Sequence, residues 1–113
     1  MSTVPLTVTP EAEALIAELG MWEDMLRMVE WMRQNAPLLR FIEVVRKPSY
    51  GGTEERPLLI IEAHCDEPPA NKPIDGSHPL LGWGEWKARN FSLQTCLHFI
   101  MMPWFHPVRT DAA

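Results

Sequence analysis

Apolar side chains recur at Leu15, Leu19, Trp22, Leu26 and Val29, with Ile16, Met25 and Met32 widening the stripe. This spacing of three and four residues predicts an amphipathic helix. Its start is signalled at Thr9-Pro10-Glu11 by a hydroxyl cap, a proline at the first helical position and an acid facing the positive end of the dipole. Asn35 and Pro37 end it, so the helix is read over 9–36. Glycine inside a helix costs ~1 kcal/mol, so a kink or break is expected at Gly20.

The pattern then changes. Leu38 to Lys47 and Pro57 to Asp66 are short runs rich in Ile, Val, Leu and Phe, separated by a segment carrying Gly51 and Gly52. Two such runs around a glycine-bearing loop predict an antiparallel hairpin over 38–66. Alternation in the second strand sends Leu59, Ile61, Ala63 and Cys65 one way and Glu62, His64 and Asp66 the other. A register with Lys47 opposite Leu58 would set Glu43 across from Glu62.

Residues 67–82 form a loop with Pro68, Pro69, Pro73 and Pro79 and the turn signal Asp75-Gly76. The region 83–105 fits two periods. Leu93, Cys96, Leu97, Ile100, Met101 and Trp104 recur as on a helix, while Phe91, Leu93, Thr95, Leu97 and Phe99 alternate as on a strand. The absence of charged residues from Asn90 to Val108 favours a strand, because a surface helix normally carries Glu, Lys or Arg. A further strand is expected from Trp86 to Asn90. The expected architecture is one α+β domain over 1–113, an N-terminal helix packed on an antiparallel sheet of three to four strands; the alternative is helix–β-hairpin–helix.

Composition adds three things. The 5 Trp and 7 Met supply large, polarisable apolar surface, read first as an aromatic core and otherwise as an oligomer interface or a pocket. A net charge of −5 with no basic cluster beyond Arg46-Lys47 argues against nucleic acid. The start Met1-Ser2-Thr3-Val4-Pro5 lacks the basic, then apolar, pattern of an export signal, so a cytoplasmic location with reduced Cys65 and Cys96 is expected. The uncharged stretch 90–108 is too polar for a membrane span.

No phosphate loop, nucleophile elbow or zinc-protease motif is present. Four groupings remain. Glu62 and His64 share a strand face, where a carboxylate beside an imidazole suits proton transfer; Cys96 and His98 are the other candidates for catalysis. The same His64, Cys96 and His98 are the weak candidates for a metal, although no cofactor is expected. Trp83, Trp86, Gln94, His98 and Trp104 combine apolar walls with uncharged polar groups, as a ligand pocket does. Trp22, Met28, Trp31 and Met32 spread round more than one helix face and suggest self-association.

The functional expectation is a small non-catalytic binding domain, a homodimer, recognising a partner protein or a small apolar ligand. The alternative is a compact enzyme using a Glu/His or Cys/His group on the sheet face.

Overall fold

The computed structural model describes residues 4–36, 38–47, 58–66 and 82–107. Its elements run β1 (Leu6–Val8), α1 (Pro10–Leu19), α2 (Trp22–Asn35), β2 (Leu39–Lys47), β3 (Leu58–Asp66), α3 (Trp83–Asn90), α4 (Leu93–His98) and β4 (Phe99–His106). The α+β reading holds, with four helices and one four-stranded sheet among the described residues.

The N-terminal helix begins as its residues dictate: the amide of Ala12 donates to Thr9 Oγ1 at 3.3 Å and Pro10 occupies the first turn. It breaks at Gly20, which takes the left-handed conformation at φ 68°. Gly20 N–H donates to Ala17 O and Met21 N–H to Ile16 O, closing a Schellman motif before α2 starts one residue later. On α2, Met25, Met28, Val29 and Met32 are fully buried, a stripe at i, i+3, i+4 and i+7. Arg33 Nη2 donates to Val4 O at 2.9 Å, tying α2 to the chain that enters β1.

The strands lie in the order β1-β2-β3-β4. β2 and β3 form the expected antiparallel hairpin, with Lys47 paired to Leu58 and Glu43 to Glu62. The turn residues 48–57 and the proline-rich segment 67–81 lie outside the described residues. The sheet departs from the expected all-antiparallel form, because β1 pairs parallel to β2 and β3 parallel to β4. Parallel neighbours need a crossover, which α1 and α2 supply on one side and α3 and α4 on the other. The three-residue β1 is too short to announce itself by pattern. Pro103 sits in β4, an edge strand, where its missing N–H is tolerated.

Two further expectations change. Trp86 to Asn90 belongs to helix α3, and 93–98 is helix α4, with strand only from Phe99 onward. Ser92 caps α4 by accepting from the amide of Thr95 at 3.2 Å. At its other end the Lys87 ammonium donates to Cys96 O at 3.2 Å and to Phe99 O at 2.8 Å. Buried Thr95 donates its hydroxyl to Asp24 on α2 at 3.0 Å. The polar partners that an uncharged helix lacks come from its neighbours.

All four helices cover one face of the sheet. Ile42, Val44, Leu59, Ile61, Ala63, Cys65 and Phe99 point into a core shared with α1, α2 and Trp83. Trp31, Trp83 and Trp86 join α2 to α3, with Trp31 and Trp86 stacked at 5.3 Å between centroids. No described helix packs on the opposite face. Among the described residues, no helix is long and apolar enough to cross a membrane.

Candidate functional site

The face that no described helix covers carries the chemistry. Alternation on β3 turns Glu62 and His64 outward while Ala63 and Cys65 enter the core. Glu43 on β2 lies directly opposite Glu62. On β4, Trp104 is paired with His64 and His106 with Asp66, which puts both rings on the same outer face. Phe41 stands two residues before Glu43 in the same regular register, opposite His64; beyond it the register slips, and Leu39 turns inward opposite Cys65. Arg40, the residue left over, pairs with Asp66 and donates to Pro107 O at 3.2 Å, fastening β2 to the end of β4.

His64 is held on every side. Its Nε2 lies 3.1 Å from Glu62 Oε1 and its Nδ1 lies 2.8 Å from His106 Nε2. The Phe41 ring stacks on it at 4.2 Å with an interplanar angle of 12°, and the Trp104 ring is parallel to it within 7° at 6.1 Å. The rings of Phe41, His64 and Trp104 thus stand as a row of plates across β2, β3 and β4. The side chains of His64 and Glu62 are only 12% and 13% exposed, whereas Phe41 and Trp104 are 37% and 45% exposed. An ordered, half-buried polar floor lies between two solvent-facing rings.

The hydrogen-bond roles follow from the carboxylate. Glu62, ionised, can only accept, so a neutral His64 donates its Nε2–H there. His64 Nδ1 then accepts from His106 Nε2–H. The lone pair that remains is on His106 Nδ1, at the end of a carboxylate–imidazole–imidazole chain.

The oxygens of Glu43 and Glu62 and a ring nitrogen of His64 all lie within 4.8 Å of one another. Two carboxylates and an imidazole at this spacing match the donor types of a first-row divalent cation.

The other expected groupings sit elsewhere. Cys96 is on α4, its thiol 3.4 Å from Lys87 O, and His98 ends the same helix, so neither reaches the outer-face cluster. Trp83 and Trp86 lie on the helical side and Trp104 on the other, with Gln94 exposed on α4. Met28 and Met32 are fully buried in this single chain, Trp31 is half-buried against α3, and Trp22 is exposed. A shallow hollow of about 210 Å³ is lined by Arg27, Glu30, Trp31, Gln34 and Trp86.

Two titrating groups are displaced from their ordinary ranges. Burial, with Asp66 beside it, pushes the Cys65 thiol up to about 11. Burial lowers the Lys87 ammonium, partly offset by Cys96. Neither group lies on the outer face.

Glu62 and His64 were legible from strand alternation, and Glu43 from the hairpin register. Phe41 was missed although the same register sets it opposite His64, and His106 was hidden by the strand's late start. Extending the alternation Ile100, Met102, Trp104 forward from Phe99 would have reached His106.

Comparison with known protein families, with curated proteins and with solved structures finds no match to this chain.

Proposed function

We propose that this chain is a small binding domain that works from the face of its sheet that no described helix covers. The observation that carries the reading is the preorganisation of His64, fixed by Glu62, His106 and Phe41 in one orientation between exposed rings. Ordering a side chain this fully costs rotamer freedom, and a rigid polar group set between apolar walls is how small-ligand sites obtain orientation. The ligand class that fits is small, with a cationic or hydrogen-bond-donating group for Glu43 and Glu62 and an apolar part for the edges of Phe41 and Trp104.

The test is a screen of small aromatic and aliphatic amines against chelator-treated, isotope-labelled protein, read by amide chemical shifts. Shifts concentrated at 41–43, 62–64 and 104–106 support the reading. Shifts confined to the hollow beside Arg27, Trp31 and Trp86, or none at all, would sink it.

A second reading is favoured by the Glu62–His64–His106 chain, which is arranged as a general base is, with each ring oriented by the next group. A compact enzyme of this design would use His106 Nδ1 to take a proton. Replacing His106 by alanine would then abolish turnover while leaving ligand-induced shifts in place.

Self-association is also proposed, now on narrower ground. Trp22 and Leu26, one turn apart on α2, are 40% and 42% exposed. A native mass spectrum with a dimer that Trp22→Glu converts to monomer supports it; a monomeric native chain refutes it.

A further inference from the structure

The geometry points to a divalent transition-metal site made by Glu43, Glu62 and His64, with His106 as the group that orients His64. This rests on the outer face being the binding face, and it names the first occupant of that face: an ion of the zinc, manganese or ferrous class.

The argument starts from separations. Zinc lies about 2.0–2.2 Å from carboxylate oxygen and imidazole nitrogen, which places neighbouring ligand atoms of a tetrahedral site roughly 3.3–3.6 Å apart. His64 Nε2 and Glu62 Oε1 are already 3.1 Å apart, and an oxygen of the third donor, Glu43, lies within 4.8 Å of a Glu62 oxygen and a His64 ring nitrogen. The backbones of β2 and β3 already hold these residues in register, so closing the set asks for side-chain adjustment on paired strands.

Electrostatics agree. Glu43 and Glu62 are directly opposed like charges on half-buried positions, a pairing that is unfavourable on its own. Glu62 has His64 as a donor, but among the described residues no hydrogen bond or ion pair reaches the Glu43 carboxylate. A cation between them removes the repulsion and satisfies Glu43 together with Glu62.

The surroundings of His64 are those of a ligating histidine. Such a ring normally gives its second N–H to a neighbouring acceptor, which fixes tautomer and orientation. His106 Nε2 stands 2.8 Å from His64 Nδ1 in that role. Two hard carboxylates with one imidazole select zinc, manganese or ferrous iron over cuprous copper, which prefers sulfur. Three protein ligands leave at least one coordination position open, the arrangement of a reactive or ligand-accepting site rather than a closed structural one.

A specific consequence follows for the protons. In the metal-free chain a neutral His64 has its proton on Nε2, donated to Glu62. With an ion on Nε2 that proton must leave, and His64 becomes Nδ1–H, donating to His106 Nε2. His106 in turn must carry its proton on Nδ1. Both rings exchange tautomers, and each keeps one proton.

The test uses the full chain, stripped with chelator and titrated with cobalt(II), whose ligand-field absorption reports nitrogen and oxygen ligation. One equivalent should bind, and zinc should displace it. Glu43→Gln and Glu62→Gln, close in shape to the native residues, should lose the band while far-ultraviolet circular dichroism stays native. His106→Ala should keep the band shape but weaken binding by about 10–100-fold. Adding zinc should move the His64 ring from the Nε2–H to the Nδ1–H form in a long-range proton–nitrogen spectrum. No saturable band in the native chain overturns the inference. So does a band that survives in both glutamine variants, or a His64 tautomer that zinc leaves unchanged. If amines still shift residues of the outer face in stripped protein while cobalt fails, the metal site alone is lost and the binding reading stands.

Discussion

Glu43 and Glu62 face each other across β2 and β3 as a directly opposed pair, on the side of the sheet that no described helix covers. Opposed like charges cost stability on a sheet, yet here they sit beside a histidine locked on both nitrogens. The arrangement reads as a site whose ligand is positive, held ready at some expense to the empty protein.

That expense is measurable. Glu43→Gln removes the repulsion without removing any hydrogen bond seen among the described residues. It should stabilise the metal-free chain by about 0.2–1 kcal/mol, raising the midpoint of urea unfolding. A lower midpoint would mean that Glu43 makes a favourable contact of its own.

Leu38 is the one non-glycine residue with positive φ, at 59°, among the described residues. A left-handed L-residue costs roughly 1–2 kcal/mol, and its side chain is 51% exposed. Leu38→Gly relieves that strain while giving back about 0.5–1 kcal/mol through the looser unfolded chain. A net gain of up to about 1 kcal/mol in unfolding free energy is expected, and a loss would place the value of Leu38 in packing.

Thr95 joins α4 to α2, donating to Asp24 and lying 4% exposed. Thr95→Val keeps the shape and removes a hydroxyl that donates to Asp24 and accepts from Ser92 Oγ at 3.1 Å; the bond to the charged acceptor alone is worth about 1.5–3 kcal/mol. Guanidinium unfolding should show a loss of that order. Native stability in the variant would mean α4 is held by Ser92 and Lys87 alone.

Alkaline pH should weaken the fold through Cys65. Its folded pKa lies near 11, above an ordinary value of 9.0, because the buried thiol resists ionisation. The contribution is therefore complete below about pH 9 and is lost as pH rises through 11. Lys87, lowered by burial, acts in the opposite sense as the unfolded chain gives up its proton. Cys65→Ala should show a shallower fall in unfolding free energy over this window than the native chain. Equal slopes would show that other groups carry the alkaline loss.

Much of the framework was legible in the residues. Thr9, Pro10 and Gly20 act within one turn of where they stand, so the start of α1 and its break could be read directly. The β2–β3 hairpin was legible for the same reason: alternation from Leu58 to Asp66 separates core from surface, and the register follows. The region 93–98 was not legible, because its apolar residues satisfy both periods and the groups that decide it, Asp24 and Lys87, come from other helices. The same limit hid the bulge at Arg40, which turns Leu39 inward opposite Cys65.

The sequence by itself determined the α+β class, the capped and broken N-terminal helix, the hairpin and the outward direction of Glu62 and His64, because each depends on neighbours a few residues away. Only the tertiary structure decided that β1 and β4 flank the hairpin in parallel and that 93–98 coils. It alone brought His106 on β4 to the Glu43, Glu62 and His64 group of the hairpin. Those outcomes depend on which distant segments share a sheet, and local periodicity carries no record of that pairing.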